Sequence, residues 1–141
     1  MRLPDIINIK DSFIKINEEL LIEIWLICNN ADEMKMNRGL QFSLDSKEGT
    51  LCSCSINENN SIWNFQILNA KHMRKGYGSL LFKEIVKYLK EYHKEVTHLY
   101  LYCKTDNIRG LNFWKKMGFT SNNIVVNVYG QDVFRMTYKV I

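Results

Sequence analysis

The chain has 141 residues, of which 46% are hydrophobic and 24% charged, and its net charge is +4. These values are typical of one globular domain over residues 1–141, and they exclude a disordered, fibrous or strongly basic protein. The first residues do not resemble a signal peptide, and the most apolar run, Leu20 to Cys28, is too short to span a bilayer. We therefore expect a cytoplasmic protein with no membrane partner.

The hydrophobic pattern of the first 38 residues is the least decisive for secondary structure. The segment NEELLIEIWLICNN, which begins at Asn17, fits a buried helix capped by that asparagine, and we expect this helix. Its I-E-I-W-L-I centre fits a strand equally well. Further along, three strand-like runs at residues 40–46, 50–56 and 61–69 are joined by the turns KEG and NENN. They predict an antiparallel meander.

A helix is predicted from Tyr77 to about Lys94, because its apolar residues fall on one helical face. Those residues are Leu81, Ile85, Leu89 and Tyr92. The next strand is predicted at residues 98–103. Since a helix separates it from the strand at 61–69, the two strands should lie parallel.

The last third of the chain predicts a short helix and a hairpin. Residues 107–117 fit a helix that is capped by Asp106 or Asn107 and stopped by Gly118. Residues 123–140 fit two strands that turn at Gly130-Gln131. The predicted fold is therefore α+β: a mixed sheet with a meander, one parallel β-α-β crossover, a short helix and a C-terminal hairpin.

The four cysteines, Cys28, Cys52, Cys54 and Cys103, are expected to be small core residues. Cys52 and Cys54 are too close in sequence to match a known cysteine metal cluster, and no histidine accompanies them. A cytosolic chain also keeps its thiols reduced. The sequence predicts no metal site.

A turn with two glycines stands directly ahead of the long helix, in the stretch MRKGYGSLL. Gly76 and Gly78 allow successive backbone N–H groups to converge on one point, and the following helix adds its unpaired amides and positive dipole end. This arrangement suits a phosphate. It is not a P-loop, whose glycines are separated by four residues, nor a dinucleotide fingerprint, because Leu81 holds the position of the third glycine.

A second motif, NIRGLNFWKKMGF at residues 107–119, follows the next predicted strand. It resembles the block N-x-x-A-x-x-F-Y-x-x-x-G-F of the GCN5-related N-acetyltransferases (GNAT), and MRKGYGSLL resembles that family's R/Q-x-x-G-x-G/A loop. Both blocks stand in the family's order and separation, and the resemblance covers residues 40–141. It implies a GNAT-like fold and an enzyme that transfers the acetyl group of acetyl-CoA to an amine.

The resemblance also implies cofactor contacts. The backbone of the strand before the loop, at Gln66 and Leu68, would pair with the pantetheine arm, and the Leu68 N–H would polarise the thioester carbonyl. Asn107 would reach the pantetheine from the start of the next helix. The loop that would wrap the pyrophosphate consists of Met73, Arg74, Lys75, Gly76, Tyr77, Gly78 and Ser79.

Two departures from the family pattern concern binding and packing. Met73 stands where the loop has Arg or Gln, and the arginine follows one place later at Arg74. Gly110 replaces the alanine of the second block, which costs a helix about 1 kcal/mol. Since backbone amides supply most of the expected contacts, CoA binding should survive both changes.

The third departure concerns catalysis, because Trp114 replaces the tyrosine that is the family's usual acid for the leaving thiolate. An indole N–H donates a hydrogen bond but does not release its proton. Three alternatives follow: the thiolate leaves unprotonated, Tyr102 or Tyr129 serves as the acid, or the protein is inactive. We expect a working enzyme in which indole hydrogen bonding and water replace the acid, and a packing role for Trp114 fits all three alternatives.

Charge is unevenly distributed along the chain. Residues 71–116 contain eleven Lys and Arg against four Asp and Glu, whereas residues 1–70 contain six against ten. Ordinary solvated helix faces would explain much of this, but an anionic ligand in the middle and a cationic amine beside the first half fit it as well. The acids concerned include Glu18, Glu19, Glu23, Asp32 and Glu33. The family builds its acceptor groove largely from the first helices and the final hairpin.

Two other functions fit parts of the pattern. One is a non-catalytic module that binds or senses acyl-CoA, and the other is a nucleic-acid-binding domain. The second would use Lys71, Arg74 and Lys75 with Tyr100 and Tyr102 as stacking residues, but the acidic first half argues against it. We therefore expect acetyl-CoA and an amine acceptor as partners, no nucleic acid, and a monomer or homodimer.

Overall fold

The computed structural model describes residues 6–32, 35–70 and 76–141. The strands are β1 (Ile6–Lys15), β2 (Leu21–Asp32), β3 (Lys35–Ser46), β4 (Gly49–Asn57), β5 (Ile62–Ala70), β6 (His98–Lys104), β7 (Thr120–Val128) and β8 (Gln131–Lys139), and the helices are α1 (Tyr77–Tyr92) and α2 (Ile108–Met117). In the described part of the chain, neither helix is long and apolar enough to cross a membrane.

The strands form a mixed sheet in the order β1-β2-β3-β4-β5-β6-β8-β7. β1 pairs antiparallel with β2, β2 with β3, β3 with β4, β6 with β8, and β7 with β8. β5 and β6 pair in parallel, with Ile62 opposite His98 and Asn64 opposite Tyr100. The predicted α+β class, with its parallel crossover and C-terminal hairpin, is confirmed.

Two compact units make up the chain. The first unit contains residues 1–58 and 66–85, and the second contains residues 59–65 and 86–141. The single domain expected for residues 1–141 stays a prediction.

The first unit begins with a β-hairpin, so the helix expected from Asn17 is wrong and the strand alternative is correct. Ile22 and Ile24 are fully buried while Glu23 between them is half-buried, which is the two-residue period of a strand. The side-chain oxygen of Asn17 accepts hydrogen bonds from the N–H groups of Glu19 and Leu20, at 2.7 and 2.9 Å. The asparagine therefore closes the turn between β1 and β2 instead of starting a helix.

The rest of the first unit has the same alternation. Its buried side chains on β3 and β4 are Leu40, Phe42, Leu44, Cys52, Cys54 and Ile56. The KEG turn between these strands is confirmed, with Gly49 at φ 121°. Burial raises the pKa of Cys52 from 9.0 to about 11, and it raises the pKa of Cys54 as well. Cys103 in the second unit is also buried, so three of the cysteines are core residues as expected, whereas Cys28 is half-buried.

The second unit is built on the parallel pair and the final hairpin. Trp63 is fully buried, and its indole N–H donates to the carbonyl of Asn60 at 3.0 Å, which fixes the NENN turn ahead of β5. The Trp63 ring meets His93 edge-on at the end of α1, with centroids 5.2 Å apart. β7 and β8 turn at Tyr129 and Gly130, which both have positive φ.

Candidate functional site

The glycine turn ahead of α1 is the first part of the candidate site. Gly76 has φ +78°, and its carbonyl accepts the N–H of Leu80 at 3.0 Å, so it is the capping residue of α1. Gly78 is the second residue of that helix. Met73, Arg74 and Lys75 lie outside the described residues. Of the two glycines, Gly76 therefore has the conformation that only glycine adopts readily.

The start of α1 is electrostatically suited to an anion. The first turn of the helix contains no acidic residue. The N–H groups of its first residues, Tyr77, Gly78 and Ser79, have no carbonyl partner within an α-helix, and the helix dipole adds partial positive charge there. These three residues are half-buried and Gly76 is exposed. The local geometry therefore fits a phosphate group, which is the ligand that the sequence motif predicts.

The strand ahead of the turn, β5, contains the other proposed backbone contacts. Gln66 is exposed, and Leu68 lies in the same strand. The parallel pairs described between β5 and β6 end at Asn64 and Tyr100. Leu68 therefore lies four residues after Asn64, the last residue of β5 in these pairs.

Asn107 and Gly110 form a coupled cap on α2. The side-chain oxygen of Asn107 accepts the N–H of Gly110 at 3.0 Å, which decides between the two predicted caps. A Cβ atom on Gly110 would lie 2.5 Å from Nδ2 of Asn107, so the glycine provides the space that the asparagine amide occupies. In the sequence, this coupling is indicated only by Gly110 in place of the family's alanine. The motif does not show that this glycine makes room for Asn107.

Trp114 lies within a group of aromatic rings in the second unit. Its indole meets Phe65 at 5.3 Å between ring centroids, Phe113 at 4.9 Å and Phe119 at 5.2 Å, each nearly edge-on. Edge-to-face pairs of this kind stabilise packing beyond the area that they bury. Trp114 is half-buried, which leaves part of the ring accessible. The position of the family's tyrosine is thus a packing position in this chain.

The two tyrosines considered as substitute acids have different surroundings. Tyr102 on β6 is 43% exposed and meets the Tyr100 ring edge-on. Tyr129 is fully exposed at the tip of the final hairpin, with φ +51°. The guanidinium of Arg135 lies over one face of the Tyr100 ring, 4.5 Å from its centroid, and so occupies that face as a stacking surface.

The acids of the first unit are partly neutralised by lysines. Glu18 lies 3.0 Å from the ammonium of Lys15, and Glu23 lies 3.2 Å from that of Lys10. Glu19 is exposed. Asp32 ends β2 and Glu33 lies outside the described residues. Within the described ranges, no group of His, Cys, Asp and Glu is placed to hold a metal ion.

The Acetyltransferase (GNAT) family matches residues 23–119, a span that includes both sequence blocks. The chain belongs to this family. The predicted family is thereby confirmed, and acetyl-CoA is the acyl donor of this class. A search of curated protein sequences finds no significant match.

Several solved GNAT structures share the fold. PaiA N-acetyltransferase of Thermoplasma acidophilum, in complex with coenzyme A, is 23% identical with a TM-score of 0.60, and the match covers 72% of this chain and 60% of that one. The ribosomal-protein-S18-alanine N-acetyltransferase of Escherichia coli is 17% identical (TM-score 0.63; 72% and 69% covered). A spermidine N-acetyltransferase of Vibrio cholerae is 20% identical (TM-score 0.62; 72% and 65% covered). This GNAT chain therefore spans about three fifths to seven tenths of these relatives.

Proposed function

We propose that this GNAT protein transfers the acetyl group of acetyl-CoA to a cationic primary amine. The observation that carries the proposal is the family match over residues 23–119, which includes a glycine turn at the start of α1 and the block that begins at Asn107. A left-handed glycine followed by a helix start without acidic residues fits a diphosphate. The exposed Gly76 and the acid-free, half-buried first turn of α1 support this assignment from the chain's own geometry.

We assign the diphosphate of acetyl-CoA to the N–H groups of Tyr77, Gly78 and Ser79, with Gly76 shaping the turn. We also assign Met73, Arg74 and Lys75 to the diphosphate, and this assignment rests on the sequence motif alone. The pantetheine is assigned to the backbone of Gln66 and Leu68, since an extended ligand with amide groups pairs like an added strand. Asn107 retains one amide N–H₂ group for this ligand, because its cap to Gly110 uses only the side-chain oxygen.

The proposed reaction is direct attack of the neutral amine on the acetyl carbonyl carbon. The new C–N bond forms as the carbonyl electrons move to oxygen, where the Leu68 N–H stabilises the charge. When the carbonyl reforms, the C–S bond breaks and CoA leaves as a thiolate. The cationic amine loses a proton to water before it attacks, and the ammonium formed by the attack passes a second proton to water. A thiol pKa of ~8.5 makes the thiolate an adequate leaving group without a protein acid.

Trp114 has a supporting role in this proposal. Its indole is held by the Phe65, Phe113 and Phe119 rings and its N–H donates a hydrogen bond without losing the proton. We therefore assign it packing and hydrogen-bond donation to the leaving sulfur. Tyr102 and Tyr129 remain the candidates for a protonating residue.

A cationic acceptor is the second part of the proposal. The excess of ten acidic over six basic residues in the first 70 residues supports it. Glu23 and Glu18, which pair with Lys10 and Lys15, add nothing to that excess. The spermidine N-acetyltransferase among the structural relatives acts on an amine of this class. The first described elements of this chain are a β-hairpin rather than helices, so the family's acceptor contacts do not carry over residue by residue.

A panel of amines tests this function. Polyamines, aminoglycosides, peptide N-termini and protein lysine should be compared by the release of free CoA from acetyl-CoA, with kcat/KM measured at low and high salt. We expect the best acceptor to be cationic and its kcat/KM to fall as salt rises. An anionic best acceptor, or a kcat/KM insensitive to salt, would contradict the proposed acceptor class. Binding of acetyl-CoA without turnover of any amine would favour the acyl-CoA-sensing module.

A further inference from the structure

Strand β7 has an exposed apolar surface at one end of the sheet. It pairs with β8 and is the last strand in the described sheet order. The consecutive residues Ile124, Val125 and Val126 are 61%, 53% and 41% exposed. Because neighbouring residues on a regular strand point to opposite faces, Val125 and Val126 place apolar side chains on both faces of the edge.

The strand at the other end of the sheet order is built differently. β1 carries charged side chains at Lys10, Asp11 and Lys15, and its pairing with β2 is interrupted between Lys10 and Ser12. Charges and bulges of this kind prevent an edge strand from pairing with another chain. β7, with the sequence TSNNIVVNV, contains no charged residue and no proline. Its own irregularity lies between Ser121 and Val125, and regular pairing continues from Val125 to Val128.

We propose that β7 pairs antiparallel with β7 of a second copy of this chain. A two-fold axis brings the same patch of both copies together, and it sets identical strands antiparallel within a continuous sheet. In such self-pairing, a charged residue near the axis would face the same charge on the second copy, and the two would repel each other. An uncharged, β-branched strand avoids that repulsion, and cross-strand pairs of β-branched residues stabilise the contact.

The exposed area sets the upper limit of this contact. Tyr129, fully exposed at the adjoining turn, extends the surface of Ile124, Val125 and Val126. These four residues expose on the order of 500 Å² in one copy, so the area that two copies can cover is at most roughly 1,000 Å², the size at which specific interfaces begin. Backbone hydrogen bonds along Val125–Val128 would add to this.

Sedimentation equilibrium of the full chain over ~1 to 100 μM tests the proposal. We expect a dimer for the unmodified protein and at least a tenfold higher dissociation constant for Val126→Lys. Ile62→Lys is a matched control, because Ile62 is also a β-branched residue of the second unit. Ile62 is 39% exposed and Val126 is 41% exposed. The control should leave the dimer unchanged. Far-ultraviolet circular dichroism checks that each variant is folded.

A mixing experiment makes the test specific for a second copy. Val126→Lys and Val126→Glu should each weaken the dimer alone, and an equimolar mixture should regain it, because opposite charges then face each other across β7. A monomeric unmodified protein would overturn the proposal. It would equally be overturned by a dimer that Val126→Lys leaves intact, or by a mixture that regains nothing.

Discussion

The Trp114 indole meets the Phe65 ring edge-on, with centroids 5.3 Å apart and planes inclined by 72°. This contact joins the helix that carries the second GNAT block to the beginning of β5. It gives the tryptophan a structural reason to occupy the family's tyrosine position. A residue selected for ring packing should tolerate other rings there.

We therefore expect Trp114→Phe to lower kcat by tenfold or less and Trp114→Tyr to keep or raise it. Phenylalanine preserves a ring for Phe65, and tyrosine adds an ionisable hydroxyl. Deleting a true general acid typically costs ~10²–10⁴ in rate. Steady-state kinetics with acetyl-CoA and the best amine provide the measurement. A loss of the larger size in Trp114→Phe, with CoA affinity intact, would identify the tryptophan as essential to the chemistry.

Gly76 and Gly130 form a matched pair for testing the phosphate turn. Both have φ +78°, and among the residues that the structure describes an added Cβ would meet no atom within 4 Å at either position. Alanine should therefore cost about 1–3 kcal/mol of stability at both sites through backbone strain alone. Only Gly76→Ala should weaken CoA binding, by at least tenfold in calorimetry. Equal CoA affinities for the two variants would remove Gly76 from the binding turn.

Gly78 tests close approach of the diphosphate rather than backbone strain. It lies inside α1, where replacing glycine favours the helix by up to about 1 kcal/mol. Gly78→Leu should therefore remain folded while losing CoA binding, because the side chain blocks the approach of the phosphates. Calorimetry and urea denaturation measure the two properties separately. Unchanged CoA affinity in the folded variant would falsify the assignment.

The cap on α2 predicts non-additive effects on stability. Asn107→Ala should cost about 1 kcal/mol, because α2 loses its cap. In the unmodified chain, Gly110→Ala should raise the free energy of unfolding only slightly, because its Cβ would displace the Asn107 amide. When Asn107 is already alanine, the same change should stabilise the protein by about 1 kcal/mol. Urea denaturation of the four proteins of this double-mutant cycle supplies the coupling energy. Additive effects would show that the amide moves aside without cost.

The buried thiol of Cys52 predicts a loss of stability at alkaline pH. Burial raises its pKa from 9.0 to about 11, so the folded state holds the proton more tightly than the unfolded state. This contribution is complete below pH 9 and is lost as the pH rises towards 11. The free energy of unfolding should therefore fall less steeply over this range in Cys52→Ala than in the unmodified protein. Parallel slopes would contradict the buried, protonated thiol.

From Tyr77 onward, short-range patterns were sufficient to predict the elements. Leu81, Ile85 and Leu89 are fully buried at helical spacing in α1, and Gly118 ends α2 with φ 108° as its position in the motif predicted. The N-terminal hairpin was missed because Asn17 caps a turn as readily as a helix. What decides between them is the pairing of Ile22 with Ile14 on β1, which is a contact between strands and not a local preference.

The candidate site was predictable to the extent that its chemistry lies in backbone geometry. Glycines ahead of a helix predicted the left-handed Gly76, because few other residues adopt that conformation. Side-chain relationships were less accessible. The space that Gly110 leaves for Asn107, and the rings around Trp114, depend on how α2 begins and packs, which the motif does not encode.

Transfer of the labelled acetyl group tests the proposed N-acetyltransferase activity most directly. The unmodified protein should be incubated with acetyl-CoA that carries an isotopically labelled acetyl group and with the best cationic amine, and the products analysed by mass spectrometry. We expect labelled acetyl on the amine nitrogen, in molar excess over the protein, and none above background with Gly78→Leu. Label that stays on CoA, or is released only as acetate, would contradict the proposed activity.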